Sequence, residues 1–322
     1  MLDRSLYNEA RTLRLGKNEI LPGHNIKVNY NVGHLPSGTR VSIQMEIFRS
    51  ESPGPHVLLI GGVHGDEING VELMRRALEQ NLFRYLLKGS VIVIPLLNVY
   101  GFINFSRDVP DGKDVNRSFP GATGGSLASR VARIITKNLM PQIDLIIDCH
   151  TGSRQLFNYP QVRVTKGDEI SLEIARVFNP PFIFQRTALR GSLRKAARQA
   201  NKLCLTYEGG EALRLDGYAL SRGLSGIQRV LHAMEMVDES IMASDKPIEL
   251  ESASWLRASD SGLFIWSKNS GKRITKGEPL GVIADPYGTK KTTVLAPRDG
   301  FIIGHMNAPV VNKGDALFHI GY

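Results

Sequence analysis

Three residues in two separate stretches of the chain are of types that bind a metal ion together. His64 and Glu67 lie three residues apart, where the apolar run 57–60 gives way to a helical pattern. On an entering helical turn their side chains can point the same way and share one ion. His150 ends a second apolar run. Two histidines and one glutamate commonly hold catalytic zinc with a position open for water, so we predict one Zn2+ per chain at His64, Glu67 and His150.

The context of these residues, rather than their spacing, supports the prediction. His232 and Glu235 have the same spacing, but they lie in an amphipathic pattern without a turn, which predicts an ordinary helix face. Glycines around His64 instead allow a sharp turn. The alternative for His150 is a residue that only caps its strand. Two polar clusters at strand ends favour the metal site, because open α/β folds bind ligands there.

A second group of candidate residues lies in the loop 98–125. A loop of this length inside a compact domain is usually functional. Asn116 and Arg117 place an amide beside a planar guanidinium, which suits a carboxylate held through two hydrogen bonds. The alternative is a surface loop in which Asp114 pairs with Arg117.

The elements that must position these residues are strands that alternate with helices. We predict strands over 57–60, 91–96 and 143–149 and helices over 68–82, 126–139 and about 221–243. Two alternating segments, 26–32 and 39–47, predict antiparallel strands at the sheet edge. The pattern predicts an α/β fold with a mixed, mainly parallel sheet and helices on both faces.

The composition changes near residue 250 to short β runs rich in glycine and proline. Segment 262–283 is echoed by 300–320, so we predict a domain of residues 1–250, a linker at 245–247 and a small all-β domain of residues 251–322. The repeat resembles the barrel-sandwich of biotinyl and lipoyl carrier domains. The hairpin 285–291 lacks their usual setting for a modified lysine, and carrier function is therefore not expected.

Composition narrows the class of protein. The 322 residues, 42% of them hydrophobic, can bury a large core, and two cysteines fit a reducing compartment. No signal peptide is recognised at residues 1–4 and no run is long enough to span a bilayer, so we expect a cytoplasmic protein with no membrane partner. The net charge is +9, and the basic residues are dispersed apart from one dense segment, 186–198, which has no aromatic platform beside it. This pattern favours a small anionic substrate over nucleic acid. A homo-oligomer is possible.

Four segments together resemble the succinylglutamate desuccinylase/aspartoacylase family, a branch of the zinc carboxypeptidase fold. They are GGVHGDE at 61–67, DVNRSF at 114–119, DCHTG at 148–152 and TYEGG at 206–210. The resemblance covers roughly residues 25–245. It implies that His64, Glu67 and His150 are zinc ligands, and that Asn116 and Arg117 hold a substrate carboxylate.

The resemblance also implies two catalytic residues. Glu208 would be the general base, and its place after the apolar run 203–207 favours it over the nearby Glu211. Arg107 would polarise the scissile carbonyl, although the insert 110–113 shifts the spacing around it. Asp66 and Asp148, which lie beside ligands, are expected to orient them.

The predicted activity is zinc-dependent hydrolysis of the amide bond of a small N-acyl amino acid by activated water. A carboxypeptidase acting on peptides is an alternative that the Asn116 and Arg117 pair would serve equally well. A non-catalytic protein that binds a small molecule is another. The C-terminal domain is expected to narrow the entrance of the site or to form a subunit contact.

Overall fold

The structure is a computed structural model that describes residues 12–16, 18–239, 241–243 and 246–322. The predictions about residues 1–4 and about Asp245 in the linker concern residues outside these ranges. The described strands are β1 (Leu13–Leu15), β2 (Asn18–Ile20), β3 (Asn25–His34), β4 (Arg40–Arg49), β5 (His56–Ile60), β6 (Ser90–Ile94), β7 (Leu145–Gly152), β8 (Leu156–Thr165), β9 (Phe182–Arg186), β10 (Leu203–Glu211), β11 (Ile248–Leu250), β12 (Ala253–Arg257), β13 (Gly262–Trp266), β14 (Arg273–Ile274), β15 (Pro279–Ala284), β16 (Lys291–Leu295), β17 (Gly300–Met306), β18 (Val310–Val311) and β19 (Ala316–Gly321). The described helices are α1 (Ile68–Glu79), α2 (Val99–Ile103), α3 (Leu127–Ile134), α4 (Glu169–Phe178), α5 (Leu193–Gln199) and α6 (Gly217–Ala233).

A large mixed sheet runs through the described part of the chain. Its main path has the strand order β12-β19-β17-β8-β10-β7-β5-β6-β4-β3. The central strands β6, β5, β7 and β10 are parallel, whereas β3 and β4 form an antiparallel pair at the edge. The predicted mixed α/β sheet and its antiparallel edge are therefore confirmed.

Helices cover both faces of this sheet, as expected for a strongly apolar parallel sheet. Alternate residues of β5 enter different cores: Leu58 and Ile60 pack on the side of α3 and α5, and Val57 and Leu59 pack on the side of α1, α4 and α6. The buried thiols divide in the same way, with Cys204 in the first core and Cys149 in the second. None of the described helices is long and apolar enough to cross a membrane.

Several predicted boundaries were wrong, for local reasons. Strand β6 ends at Ile94 rather than residue 96, since Pro95 has no N–H for the ladder. Helix α1 stops at Glu79, just before Asn81 takes a left-handed φ of 54°. Helix α6 begins at Gly217, where the Asp216 side chain accepts from a backbone N–H, and it ends at Ala233 rather than near residue 243.

The remaining regions also hold more structure than predicted. The segment 126–139 is α-helical to Ile134 and continues as a π-helical turn over Ile135–Leu139. The loop 98–125 contains α2 and a 3-10 turn over Val115–Arg117.

The C-terminal region is all β, as predicted, but its strands belong to two sheets. Strands β13, β15, β16 and β18 form a separate four-stranded sheet, while β12, β17 and β19 extend the large sheet through the antiparallel pair β17–β8. The region has a core of its own, which includes Phe264 and Phe318, and a smaller cluster in which Ile303 meets Phe182 and Phe184. The division at residue 250 stays a prediction.

Candidate active site

The register of three parallel strands brings the predicted site residues together. Ile60 of β5 lies opposite Asp148 of β7, so the turn that carries His64 begins beside the strand end that carries His150. Glu208 of β10 lies opposite His150 on the other side of β7. Because neighbouring strands are about 4.8 Å apart, paired residues on one face lie next to each other.

A tight turn connects β5 to α1 and presents His64. A Cβ atom added at Gly65 would lie 2.0 Å from the carbonyl carbon of Gly101, so a larger residue would push away the segment that leads to Arg107. The glycine after His64 is therefore required by this close approach.

The three predicted ligands meet with suitable atoms facing one another. The Nδ1 atom of His64 is 2.7 Å from Glu67 Oε1, the Nδ1 atom of His150 is 2.8 Å from Glu67 Oε2, and the two Nδ1 atoms are 3.1 Å apart. Atoms bound tetrahedrally at about 2.0–2.2 Å from zinc would be roughly 3.3 Å apart, so this donor set fits a metal ion. All three side chains are buried, and the described residues contain no other such group of His, Cys, Asp or Glu.

Carboxylates contact the opposite nitrogen of each imidazole. Asp148 Oδ2 is 2.8 Å from His150 Nε2, and Asp114 Oδ1 is 3.2 Å from His64 Nε2. Each can accept the Nε2–H, which leaves Nδ1 free to bind metal and fixes the ring. Asp148 is where the sequence predicted such a residue. The corresponding prediction for Asp66 was wrong: its Oδ1 is buried without a hydrogen-bond partner among the described residues, and Asp114, fifty residues away from His64, takes this position.

Charge outweighs burial in setting the protonation of this cluster. Burial alone would lower the pKa of His64 and His150, but Glu67 and the outer carboxylates raise both, that of His150 well above its usual value. Burial would likewise raise the pKa of Glu67, yet the two imidazoles hold it well below its usual range. The cluster without metal therefore binds protons, which a metal ion must displace.

Arg107 lies at the mouth of this cluster. Its Nη1 donates to Glu67 Oε1 at 3.1 Å and to Ser153 Oγ at 2.8 Å, and its Nη2 donates to Asp114 Oδ2 at 2.9 Å. Arg117 Nη1 is 4.0 Å from the same Asp114 oxygen, so Arg107 is the main partner of Asp114. The alternative in which Asp114 simply pairs with Arg117 on the surface does not describe this loop.

Asn116 and Arg117 line the same cavity and keep donors available. Asn116 Oδ1 accepts from the backbone N–H of Leu193 at 2.9 Å, which holds the amide in place. Arg117 Nη1 donates to the backbone carbonyl of Asn116 at 2.7 Å, and its side chain is 46% exposed. The guanidinium has further N–H groups that an anion can reach.

Glu208 is buried and held from both sides by residues of β8. Arg163 Nη1 is 2.7 Å from its Oε1, and Asn158 Nδ2 donates to its Oε2 at 2.7 Å. Glu211 is turned away from the cavity and accepts from Asn307. The sequence did not reveal Arg163 or Asn158, because nothing in their local pattern indicates that β8 runs antiparallel beside β10.

All seven predicted site residues line one cavity of about 250 Å³. They are His64, Glu67, Arg107, Asn116, Arg117, His150 and Glu208. Trp255 from the C-terminal region closes part of its wall. The cavity thus combines a candidate metal centre, a buried carboxylate and four arginines, Arg107, Arg117, Arg163 and Arg194.

Comparisons with known proteins show which family the sequence resembles. The sequence model of the succinylglutamate desuccinylase/aspartoacylase catalytic domain matches residues 53–234. The chain is 28% identical over 280 residues to the N-alpha-acetyl-L-2,4-diaminobutyric acid deacetylase of Halomonas elongata, covering 82% of this chain and 81% of that protein.

Two solved structures show the same fold. The product-bound ectoine utilization protein EutE (DoeB) from Ruegeria pomeroyi superposes with a TM-score of 0.82 at 22% identity, over 92% of this chain and 94% of that one. A succinylglutamate desuccinylase/aspartoacylase from Rhodobacter sphaeroides gives a TM-score of 0.81 at 23% identity, over 92% and 96% of the two chains.

Proposed function

The chain belongs to the succinylglutamate desuccinylase/aspartoacylase family, and from this premise we propose that it is a zinc-dependent hydrolase that cleaves the amide bond of a small N-acyl amino acid. The observation that carries the proposal is the meeting of His64, Glu67 and His150 in one cavity with the buried carboxylate of Glu208. The similarity to a deacetylase of an N-acetyl amino acid supports the same class of substrate.

The Nδ1 atoms of His64 and His150 and the carboxylate of Glu67 would hold the zinc ion. When bound, zinc supplies Lewis acidity and a water of lowered pKa. Asp148 and Asp114 keep the two imidazoles oriented through their Nε2 atoms. The proposal of zinc rather than another metal rests on the two-nitrogen, one-carboxylate donor set.

Glu208 would accept a proton from the attacking water and then deliver it to the leaving amine nitrogen. Its two oxygens are held by Asn158 and Arg163, so the carboxylate is fixed in one orientation. The guanidinium of Arg107, which lies against Glu67, would stabilise the negative charge that develops on the scissile carbonyl oxygen. Asn116 and Arg117 would hold a carboxylate of the substrate. The products are a carboxylic acid and an amine.

The C-terminal region, which we propose as a domain of residues 251–322, narrows the cavity. Trp255 of β12 forms part of the wall, and a cavity of about 250 Å³ favours small N-acyl amino acids over long peptides. Deleting this region would be a poor test, because the removal of β17 leaves the edge of β8 uncovered. Trp255→Ala widens the cavity and leaves β17 paired with β8, and we expect the variant to accept bulkier acyl groups.

Glu208→Gln tests the proposal directly. We expect the variant to keep its metal and its fold but to lose turnover by about a hundredfold or more, because the amide cannot accept the proton. Glu211→Gln is the matched control, since Glu211 is a nearby carboxylate that does not line the cavity. Metal content and amine release from N-acetyl and N-succinyl amino acids and from blocked dipeptides are measured together.

Each outcome of this experiment decides between the candidate functions. Cleavage of acyl amino acids that depends on Glu208 supports the proposal. Cleavage of the dipeptides alone would assign a carboxypeptidase. Tight binding of acyl amino acids without turnover in the zinc-loaded protein would assign a binding protein.

A further inference from the structure

A second cavity adjoins the one that contains the candidate metal centre. It has a volume of about 600 Å³ and shares Arg163, Leu189, Arg194 and Trp255 with the first cavity. Four cationic side chains, those of Arg163, Lys166, Arg186 and Arg194, line it together with one acid, Glu251. We call this cavity the cationic bay. It is therefore open to a group that reaches past Trp255 from the catalytic cavity.

Arg194 is a largely buried cation that forms no salt bridge with the described residues, although the more distant carboxylates of Glu208 and Asp148 favour its charged form. Its Nε and Nη1 atoms are shielded from solvent and have no hydrogen-bond acceptor among the described residues. Burial lowers the pKa of this guanidinium, which reflects the cost of keeping the charge away from water. A buried cation is normally paired. The bay supplies no such partner for Arg194, so an anionic ligand would complete its hydrogen bonds.

Two further arginines, Arg163 and Arg186, lie in the bay. The Nε atom of Arg163 is buried without an acceptor in the described chain, although its Nη1 is paired with Glu208. Arg163 and Arg186 lie over the ring of Phe184, at 5.4 and 5.2 Å from its centroid. The ring lies between the two guanidinium groups. Burial lowers the pKa of Arg186, and repulsion from Arg163 lowers it further.

His319 lines the bay with a neutral ring. Its ring stacks on Trp255 with centroids 4.3 Å apart, and its Nε2 is 3.4 Å from Arg186 Nη2. Because Nε2 faces that donor, the proton of the neutral ring lies on Nδ1, which is buried and has no partner among the described residues. Burial, followed by Arg163 and Arg186, lowers the pKa of His319 to about 3, so the ring is neutral at pH 7.

We propose that the cationic bay is a binding site for an oxyanion, held by Arg186, Arg194 and the Nδ1–H of His319. This site is separate from the carboxylate position assigned to Asn116 and Arg117. Planar or tetrahedral oxyanions match the forked donors of arginine. The oxyanion is either a free ion or a group carried on the substrate beyond the scissile amide. Binding in the bay does not require the proposed hydrolysis.

The test uses the metal-loaded protein and the variant Arg186→Gln, since Arg186 lines the bay but not the catalytic cavity. Calorimetry with inorganic sulfate measures the affinity of the protein for a free oxyanion. The ratio of KM values for an N-succinyl amino acid and its N-acetyl counterpart measures how much a carboxylate on the acyl group contributes to substrate binding. We expect Arg186→Gln to weaken one of these interactions about tenfold, the loss of one charge-assisted hydrogen bond. Arg190→Gln is the control, because Arg190 is exposed and lines neither cavity.

The outcomes distinguish the two sources of the oxyanion. Weaker sulfate binding with unchanged KM values assigns a free ion. A raised KM for the succinyl compound alone assigns a group on the substrate. A second variant, Lys166→Gln, is measured in the same way. The proposal is wrong if both variants have the same sulfate affinity and the same ratio of KM values as the control Arg190→Gln. The sulfate measurement does not depend on turnover, so it stands even where no substrate is cleaved.

Discussion

Two pairs of buried histidines occupy opposite environments in this molecule. His64 and His150 lie among carboxylates at the candidate metal centre, which raise the pKa of both above the ordinary value. His305 and His319 lie in the C-terminal region, where burial lowers their pKa to about 4 and about 3. The rings are about equally buried, so burial alone does not distinguish them. What separates them is the charge of their neighbours.

The partners of each ring explain the contrast. His150 has Glu67 on Nδ1 and Asp148 on Nε2, which suits a ring that binds protons or a metal ion. His305 instead lies between the Ser270 hydroxyl, 2.7 Å from Nδ1, and the Asn307 side-chain carbonyl, 3.0 Å from Nε2. These neutral partners suit a neutral ring, in which Nε2–H donates to Asn307 and Nδ1 accepts from Ser270. Carboxylates at both ring nitrogens therefore distinguish the candidate metal ligand His150 from the neutral histidine His305.

The largest expected effect separates the two pairs directly. His150→Ala should lose most of the bound metal and reduce turnover about a thousandfold or more, because one of the three proposed protein ligands is removed. His305→Gln should keep both metal and turnover, since His305 is not part of the metal site. Metal analysis and amine release on the purified variants measure this. Equal metal loss in both variants would contradict the contrast.

A smaller effect tests whether the outer carboxylate tunes the metal site. Asp148→Asn should weaken metal binding or activity about tenfold to a hundredfold, because the acceptor that orients His150 loses its charge. Asp66→Asn is the matched control: Asp66 is also a buried neighbour of a ligand, but it makes no hydrogen bond to either imidazole. Metal affinity by competition with a chelator would show the difference, and a similar loss in both variants would remove the role given to Asp148.

The smallest effect concerns the dependence of stability on pH. Histidines whose pKa is lowered in the folded protein add stability above pH of about 6.5, and that stability is lost as pH falls toward the folded values, about 4 for His305 and about 3 for His319. Between the unfolded and folded pKa values, each of these histidines lowers the free energy of unfolding by about 1.4 kcal/mol for every unit by which the pH falls. His319→Gln should therefore flatten the decline of the wild-type free energy of unfolding between pH 6 and pH 4.

His64 and His150 act in the opposite direction in the metal-free protein. Their raised pKa values mean that their contribution is complete below pH of about 6.5 and is lost as pH rises through the folded values. Denaturant titrations of the metal-free wild type and of His319→Gln measure how much His319 contributes to the pH dependence of the free energy of unfolding. The control is His24→Gln, at an exposed histidine. A slope that His319→Gln leaves unchanged would show that the ring is not held neutral.

The sequence predicted the strand ends and turns of this chain because each depends on residues that are close together in the chain. The apolar runs before His64 and His150, the glycines around His64 and the repeat beyond residue 250 predicted the parallel strands, the ligand set and the β-rich region. The parallel strands and the β-rich region are present, whereas the ligand set and the roles of the site residues stay proposals.

What the sequence did not predict depends on pairing between distant segments. Asp114 reaches His64, and Arg163 and Asn158 reach Glu208, because strands and loops far apart in the chain become neighbours. The sheet likewise continues into the C-terminal region through a pair of strands that lie nearly 150 residues apart. No periodicity in one stretch reports the register of another, so these contacts required the structure.

The pairing of β17 with β8 has a consequence for how the chain folds during synthesis. Strand β9 covers the later part of β8, from Gln161 to Thr165, whereas its first residues, Leu156 to Asn158, are covered by Gly304 to Met306. A nascent chain that has already made all the candidate ligands and Glu208 still has an open strand edge, which is prone to aggregate. Asn158, which holds Glu208, belongs to that edge. This edge, and with it Asn158, is therefore covered only after residues 304–306 have been synthesised and have left the ribosome.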